Sequence, residues 1–186
     1  TQAIHRGDAP TALAEYRTAI ATQPRRAEYL IALAAVAAQM GKLSEAEATL
    51  QAAIALRPTD PALYMQLAAL YGGGADPAPE RLAMAYAAFD QAIALGPTIG
   101  LIFQQYADLA LRSGNWANAL DLARRAVELD ATDGTAFGIL GWAELEAGNL
   151  AAAQSAFVQA VKWQPDSADY HLGLALAYYH QGNVEG

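Results

Sequence analysis

Residues 134–167 read GTAFGILGWAELEAGNLAAAQSAFVQAVKWQPDS, and this stretch decides the fold because most of the chain repeats it. Two apolar helical patterns flank one glycine. Phe137, Leu140, Gly141 and Leu145 follow the i, i+3, i+4 spacing of a helix face, and Ala153, Ala156, Phe157, Ala160 and Val161 resume it after the break. Gly148 stands where a helix ends in a left-handed residue, a conformation that glycine adopts without steric cost. Asn149 is then expected to cap the next helix by accepting from its free amides. Pro165 closes that helix, since it lacks an amide hydrogen and disfavours helix at the residue before it. The stretch predicts a helical hairpin.

Sliding the unit along the chain tests for a repeat. In steps of 34, with one of 39, units start at Ala27, Pro61, Gly100, Gly134 and Ala168. Their seventh place holds Leu33, Leu67, Tyr106, Leu140 and Leu174, and their eighth holds Ala34, Ala68, Ala107, Gly141 and Ala175. Small residues recur in the second helix at Ala12, Ala46, Ala85, Ala119 and Ala153, and seven places on at Ala19, Ala53, Ala92, Ala126 and Ala160. In an alanine-rich chain those matches are weak evidence. The β-branched column Ile20, Ile54, Ile93, Val127 and Val161, with Gly7, Gly41, Gly114, Gly148 and Gly182, is much harder to obtain by chance.

This pattern resembles the tetratricopeptide repeat family. The likeness is carried by the hairpin unit, the small eighth, twentieth and twenty-seventh residues, the large apolar twenty-fourth (Tyr16, Leu50, Phe89, Phe157) and the late proline (Pro24, Pro58, Pro97, Pro165). It spans nearly the whole chain. Departures are Ala131 in place of the proline, Ala123 in place of the large apolar residue, Glu144 where the family often has tyrosine, and an insertion in the unit from Pro61. The resemblance implies an all-α fold, a right-handed α-solenoid of tetratricopeptide helical hairpins with about ten helices plus a terminal stub. The expected layout is a single domain over 1–186: a partial repeat 1–26, repeats 27–60, 61–99 with an insertion at 72–79, 100–133 and 134–167, and a partial repeat 168–186. Because both end units are incomplete, the chain is expected to be a fragment, or an ordered core, of a longer polypeptide.

Composition agrees. The 186 residues are 54% hydrophobic and only 16% charged, which suits helices in close approach. A net charge of -8 opposes non-specific attraction to nucleic acid or anionic membrane. The basic doublets Arg25-Arg26 and Arg124-Arg125 read as solvated helix surface. Cysteine is absent, which excludes a disulfide framework and a thiolate metal site and leaves the compartment open. No apolar run approaches the roughly 20 residues that span a bilayer, so no membrane insertion is expected.

In chain order, a helix is expected from about Ala9 to Thr22, ended by Pro24. Ser44 and Glu47 have the spacing of a capping box. Asp60 is placed to cap the next helix, with Pro61 in its first turn, where a missing donor costs nothing. The run from Gly72 to Pro79 reads as a looped-out connection before a helix at about Glu80 to Leu95. A phosphate cradle is disfavoured there, because the P-loop lysine and hydroxyl residue are lacking and no strand precedes it. Trp116, in the place of Leu43, Leu82 and Leu150, reads as hairpin packing, and Trp163 reads as structural. His5, His171 and His180 have no i, i+4 partner, and His171, in the place of Leu30 and Phe137, reads as a core or boundary residue. Glu45/Glu47 and Glu144/Glu146 are two apart on helices and point in different directions, so neither is an acid–base dyad. No catalytic residue, metal ligand or cofactor site is expected.

The resemblance implies a concave face lined by the second, fifth, ninth, twelfth and thirteenth residues of the first helices. In this chain the candidate peptide-binding groove is Ile31, Gln39, Met65, Leu101, Gln104, Asp108, Arg112, Trp142, Glu146, Leu172 and Tyr179, among smaller or flanking residues such as Glu28, Ala35, Ala69, Thr135, Gly138, Leu176 and His180. Met65 and Trp142 are the expected anchors. The lysine and asparagine clamp of chaperone-binding members is absent. So is the asparagine ladder of glycosyltransferase-associated arrays, whose places hold Ala32, Gln66, Gln105, Ile139 and Gly173. The expected function is a non-catalytic protein–protein interaction scaffold that binds an amphipathic helix or apolar segment. The alternatives are a structural or regulatory arm of a larger protein, and self-association through uncapped ends as a homo-oligomer.

Overall fold

The computed structural model describes residues 9–74, 77–96 and 99–182, so Gly7, His5 and the two terminal stubs lie outside the described residues. Within them stand ten helices and no strand: α1 Ala9–Thr22, α2 Ala27–Gln39, α3 Leu43–Leu56, α4 Pro61–Tyr71, α5 Pro79–Leu95, α6 Gly100–Arg112, α7 Trp116–Leu129, α8 Gly134–Glu146, α9 Leu150–Trp163 and α10 Ala168–His180. They fall into two compact units, Thr1–Gly96 and Pro97–Gly186. In the first, α2 pairs with α3 and α4 with α5, and α1 packs on α2 and α3 on α4. In the second, α6 pairs with α7 and α8 with α9, while α7 packs on α8 and α9 on α10.

Turn chemistry sets the hairpins. At Gly148 the backbone is left-handed (φ 78°), its N–H donates to the Leu145 carbonyl at 3.0 Å, and the next N–H, from Asn149, reaches back to the Glu144 carbonyl at 2.8 Å. These two bonds satisfy carbonyls that the helix end leaves open and turn the chain into α9. Gly41 and Gly114 make the same turn in their hairpins. Between hairpins, the Ser167 N–H donates to the Gln164 carbonyl around Pro165. The turn at Ala131 forms without a proline because Asp130 Oδ1 accepts from both the N–H and the hydroxyl of Thr132, at 2.9 and 2.6 Å. Those bonds, the hydroxyl's first, hold the Asp130 carboxyl below its ordinary range.

Alanine lets the helices approach. Ala46, Ala53, Ala85, Ala92, Ala119, Ala126, Ala153 and Ala160 are all fully buried, on the faces where second helices meet their neighbours. In the first unit, Ala53 sits with Leu30 and Leu63, and Ile20, Ile31 and Ile54 pack around them. In the second, Phe157 is fully buried with Ala153 and Ala177, against Trp142, Leu145 and Leu174. The Phe157 ring lies where side chains on Gly141 and Gly173 would otherwise be, 2.7 Å and 2.4 Å from ideal Cβ positions there.

Several local expectations are corrected. Ser44 and Glu47 make no capping box, because α3 begins one residue before Ser44, at Leu43, with Lys42 as its cap; Glu47 instead accepts from the Tyr71 hydroxyl at 2.8 Å. Asn149 occupies the cap position without a side-chain cap bond, and its Nδ2 donates to Glu144 Oε2 at 2.7 Å. Asp60 does cap α4, accepting from the Ala62 N–H. The arginine doublets are exposed yet engaged: Arg124 Nη2 donates to Glu144 Oε1 at 2.7 Å, Arg125 lies 4.9 Å from the Phe103 ring centre, and Arg26 lies 5.9 Å from that of Tyr29. His171 is an exposed residue whose Nε2 lies 2.8 Å from the Pro165 carbonyl, so it belongs to the turn and not to the core. Trp116 packs only partly, at 41% exposure, and Trp163 is half-exposed with Lys162 5.0 Å from its ring centre.

Glu144 is 4% exposed and so is the one buried carboxylate among the described residues. It is tolerated because Arg124 from α7 and Asn149 from the following turn donate to its two oxygens. Arg124 is half in solvent, which limits what the pair contributes. Glu144→Gln, which keeps the shape and removes the charge, is expected to lower unfolding free energy by about 1–2 kcal/mol in urea titrations. Combined with Arg124→Ala it should show a coupling of about 1 kcal/mol, whereas strictly additive losses would contradict the account.

Candidate interaction grooves

In the first unit, α2 and α4 each pack on α3, and an open cavity of about 640 Å³ is lined by all three helices. Its walls are Ile31, Ala35 and Ala38 from α2, Leu43 and Leu50 from α3, and Gln66, Ala69 and Leu70 from α4. The cavity exists because alanine at 35, 38 and 69 leaves space that larger side chains would fill. Among the described residues no charged side chain lines it. Gly73 and Gly74 border one end, following the carboxyl terminus of α4, where helix carbonyls concentrate negative partial charge. The Leu70 carbonyl there accepts from Arg81 Nη2 at 2.7 Å.

In the second unit, a pocket of about 520 Å³ lies between the carboxyl ends of α8 and α10, lined by Trp142, Leu145, Glu146, Gly148, Leu150, Leu176 and His180. Trp142 is half-buried and meets Phe157 edge to face, with ring centres 5.1 Å apart at 79°. It therefore has both roles at once: it packs on the core and it walls the pocket.

The remaining expected groove residues are distributed as follows. Ile31 joins Ala35 and Ala69, and Trp142 joins Glu146, Leu176 and His180. Met65 is only 8% exposed and is a packing residue rather than an open anchor. Gln39 is exposed at the end of α2. Leu101, Gln104, Asp108 and Arg112 share α6 without lining either cavity, and Arg112 Nε donates to Asp108 Oδ2 at 2.9 Å. Leu172 and Tyr179, 55% and 67% exposed, stand on α10 outside the pocket. Glu28 pairs with Arg57; its backbone hydrogen bond and then this partner hold its carboxyl below the ordinary range. Gly138 is covered by the Tyr170 ring, and Thr135 Oγ1 accepts from Gln164. Sequence reasoning missed Leu43 and Leu50 because it counted only first helices; the large apolar twenty-fourth column already pointed to Leu50.

Among the described residues no three metal-ligating side chains cluster, and no helix is long and apolar enough to cross a membrane. Two tetratricopeptide repeat models match the sequence, one over residues 3–70 and the other over residues 140–186. The chain belongs to the tetratricopeptide repeat family, whose fold class is the all-α solenoid of helical hairpins. No curated protein matches the sequence with significance. Solved structures do match the fold. YrrB, described as a TPR protein with an unusual peptide-binding site, is 24% identical over 91% of this chain and 85% of its own, with a TM-score of 0.71. PilW, a widely conserved type IV pilus biogenesis factor, is 19% identical over 99% and 83%, with a TM-score of 0.80. TTC0263, a thermophilic TPR protein of Thermus thermophilus, is 22% identical over 96% and 94%, with a TM-score of 0.67.

The contrast between Met65 and Ala35 is testable. Met65→Ala should cost about 2–4 kcal/mol in urea unfolding, as a buried truncation does. Ala35→Arg, at an exposed groove position, should change stability by no more than about 0.5 kcal/mol. The reverse order would place Met65 on the open surface.

Proposed function

We propose that this chain is a non-catalytic interaction scaffold whose first-unit groove, between α2 and α4, accepts an amphipathic helix or an extended apolar segment of a partner protein or of the same polypeptide. The observation that carries this reading is the open cavity of about 640 Å³, whose described lining is small or apolar apart from Gln66, with alanines on α2 and α4 and with Ile31, Leu43, Leu50 and Leu70 as its larger walls. Burying apolar side chains there removes surface from water at about 25 cal/mol per Å², and Gln66 offers one amide to fix orientation. Tetratricopeptide repeat proteins are generally interaction scaffolds, and the structural likeness to the peptide-binding YrrB is in keeping with this use.

The test uses a fluorescein-labelled peptide, acetylated and amidated at its ends, with leucine at i, i+3, i+4 and i+7 and glutamine elsewhere. Saturable binding by anisotropy is expected. Ala35→Arg with Ala69→Arg should weaken it at least about tenfold while leaving helical circular dichroism unchanged. Failure to saturate, or equal affinity for the doubly substituted chain, would overturn the proposal.

A further inference from the structure

We infer that the second-unit pocket between α8 and α10 selects a lysine side chain presented by an apolar partner segment. This deepens the scaffold reading above and rests on it. Trp142 and Glu146 are four residues apart on α8, so they share one face and both line the pocket. Two residues away on the same helix, Glu144 turns inward, where Arg124 supplies its counter-charge and Asn149 a hydrogen bond. Glu146 has no ion pair among the described residues, and no lysine or arginine lines the pocket.

The chemistry is complementary to a cation on a long aliphatic stem. Leu145, Leu150 and Leu176 cover methylene groups, the indole of Trp142 attracts a cation through its ring quadrupole, and the Glu146 carboxylate supplies the counter-charge. The surrounding field has the same sign: ten acidic side chains against four basic ones lie between residues 97 and 186, so a basic segment is drawn in and an acidic one repelled. His180, on the α10 wall, stacks edge-on against Tyr179 at 5.6 Å.

The test adds a central residue to the leucine peptide: lysine, its uncharged counterpart norleucine, or glutamate. Binding is followed at pH 8 by ¹⁵N-¹H NMR at the Trp142 indole and Gly148 amide. The lysine peptide is expected to bind about tenfold more tightly than the norleucine peptide, and the glutamate peptide more weakly than both. Glu146→Gln should bring the lysine-to-norleucine ratio to about one, and the lysine advantage should shrink as salt is raised. Equal binding of the lysine and norleucine peptides, or a lysine preference that survives Glu146→Gln, overturns the selectivity and leaves the scaffold reading standing. Binding of none of the three, at these reporters or by anisotropy, overturns both.

Discussion

The ring of Phe157 is pressed between α8 and α10 at two positions without side chains, Gly141 and Gly173, and the second unit depends on that contact. Ideal Cβ atoms at those glycines would fall 2.7 and 2.4 Å from ring carbons, so any larger residue must displace a fully buried phenyl group. Glycine inside a helix costs about 1 kcal/mol relative to alanine. The packing of an aromatic ring that touches α8, α10 and the Trp142 edge offsets it, since burying such a side chain contributes about 1.5–3 kcal/mol. Tyr170 over Gly138 is a second instance between the same two helices. The first unit applies the same rule with alanine as the small partner, Ala53 lying among Leu30 and Leu63.

The same economy of side chains that brings helices together leaves space where no bulky residue answers a small one. Ala35, Ala38 and Ala69 line the space between α2 and α4, and their small side chains leave a cavity there. At the carboxyl ends of α8 and α10, Trp142 is held by Phe157, while Glu146 makes no ion pair among the described residues. Both cavities are therefore by-products of close helix packing, and their described linings differ in charge from one unit to the other.

Much of the fold could be read before any coordinates. The glycine at each hairpin, the Asp60–Pro61 helix start and the alanine columns each follow from local backbone sterics or side-chain size, and those act the same way in every context. The grooves were less legible. Met65 occupies the same first-helix place as Ile31, yet it is buried, because exposure at that place depends on which neighbouring side chains cover it and not on helical register. Asn149 and Glu47 had the spacing of caps, but Asn149 donates to the buried Glu144 carboxylate, and α3 starts before Ser44, which leaves Glu47 to accept from the Tyr71 hydroxyl. His171 shared a column with Leu30 and Phe137, and a nearby carbonyl at Pro165 kept it at the surface.

The central claim is that small notches filled by bulky neighbours, rather than helix propensity, hold consecutive helices together. It is tested most directly by measuring Gly173→Ala in two backgrounds, the parent chain and Phe157→Ala, by urea unfolding. Propensity alone makes alanine stabilising by about 1 kcal/mol in both. Notch packing predicts that the substitution destabilises the parent by about 1–3 kcal/mol and becomes neutral or stabilising once the phenyl ring is gone. A stabilisation of the same size in both backgrounds would contradict the account.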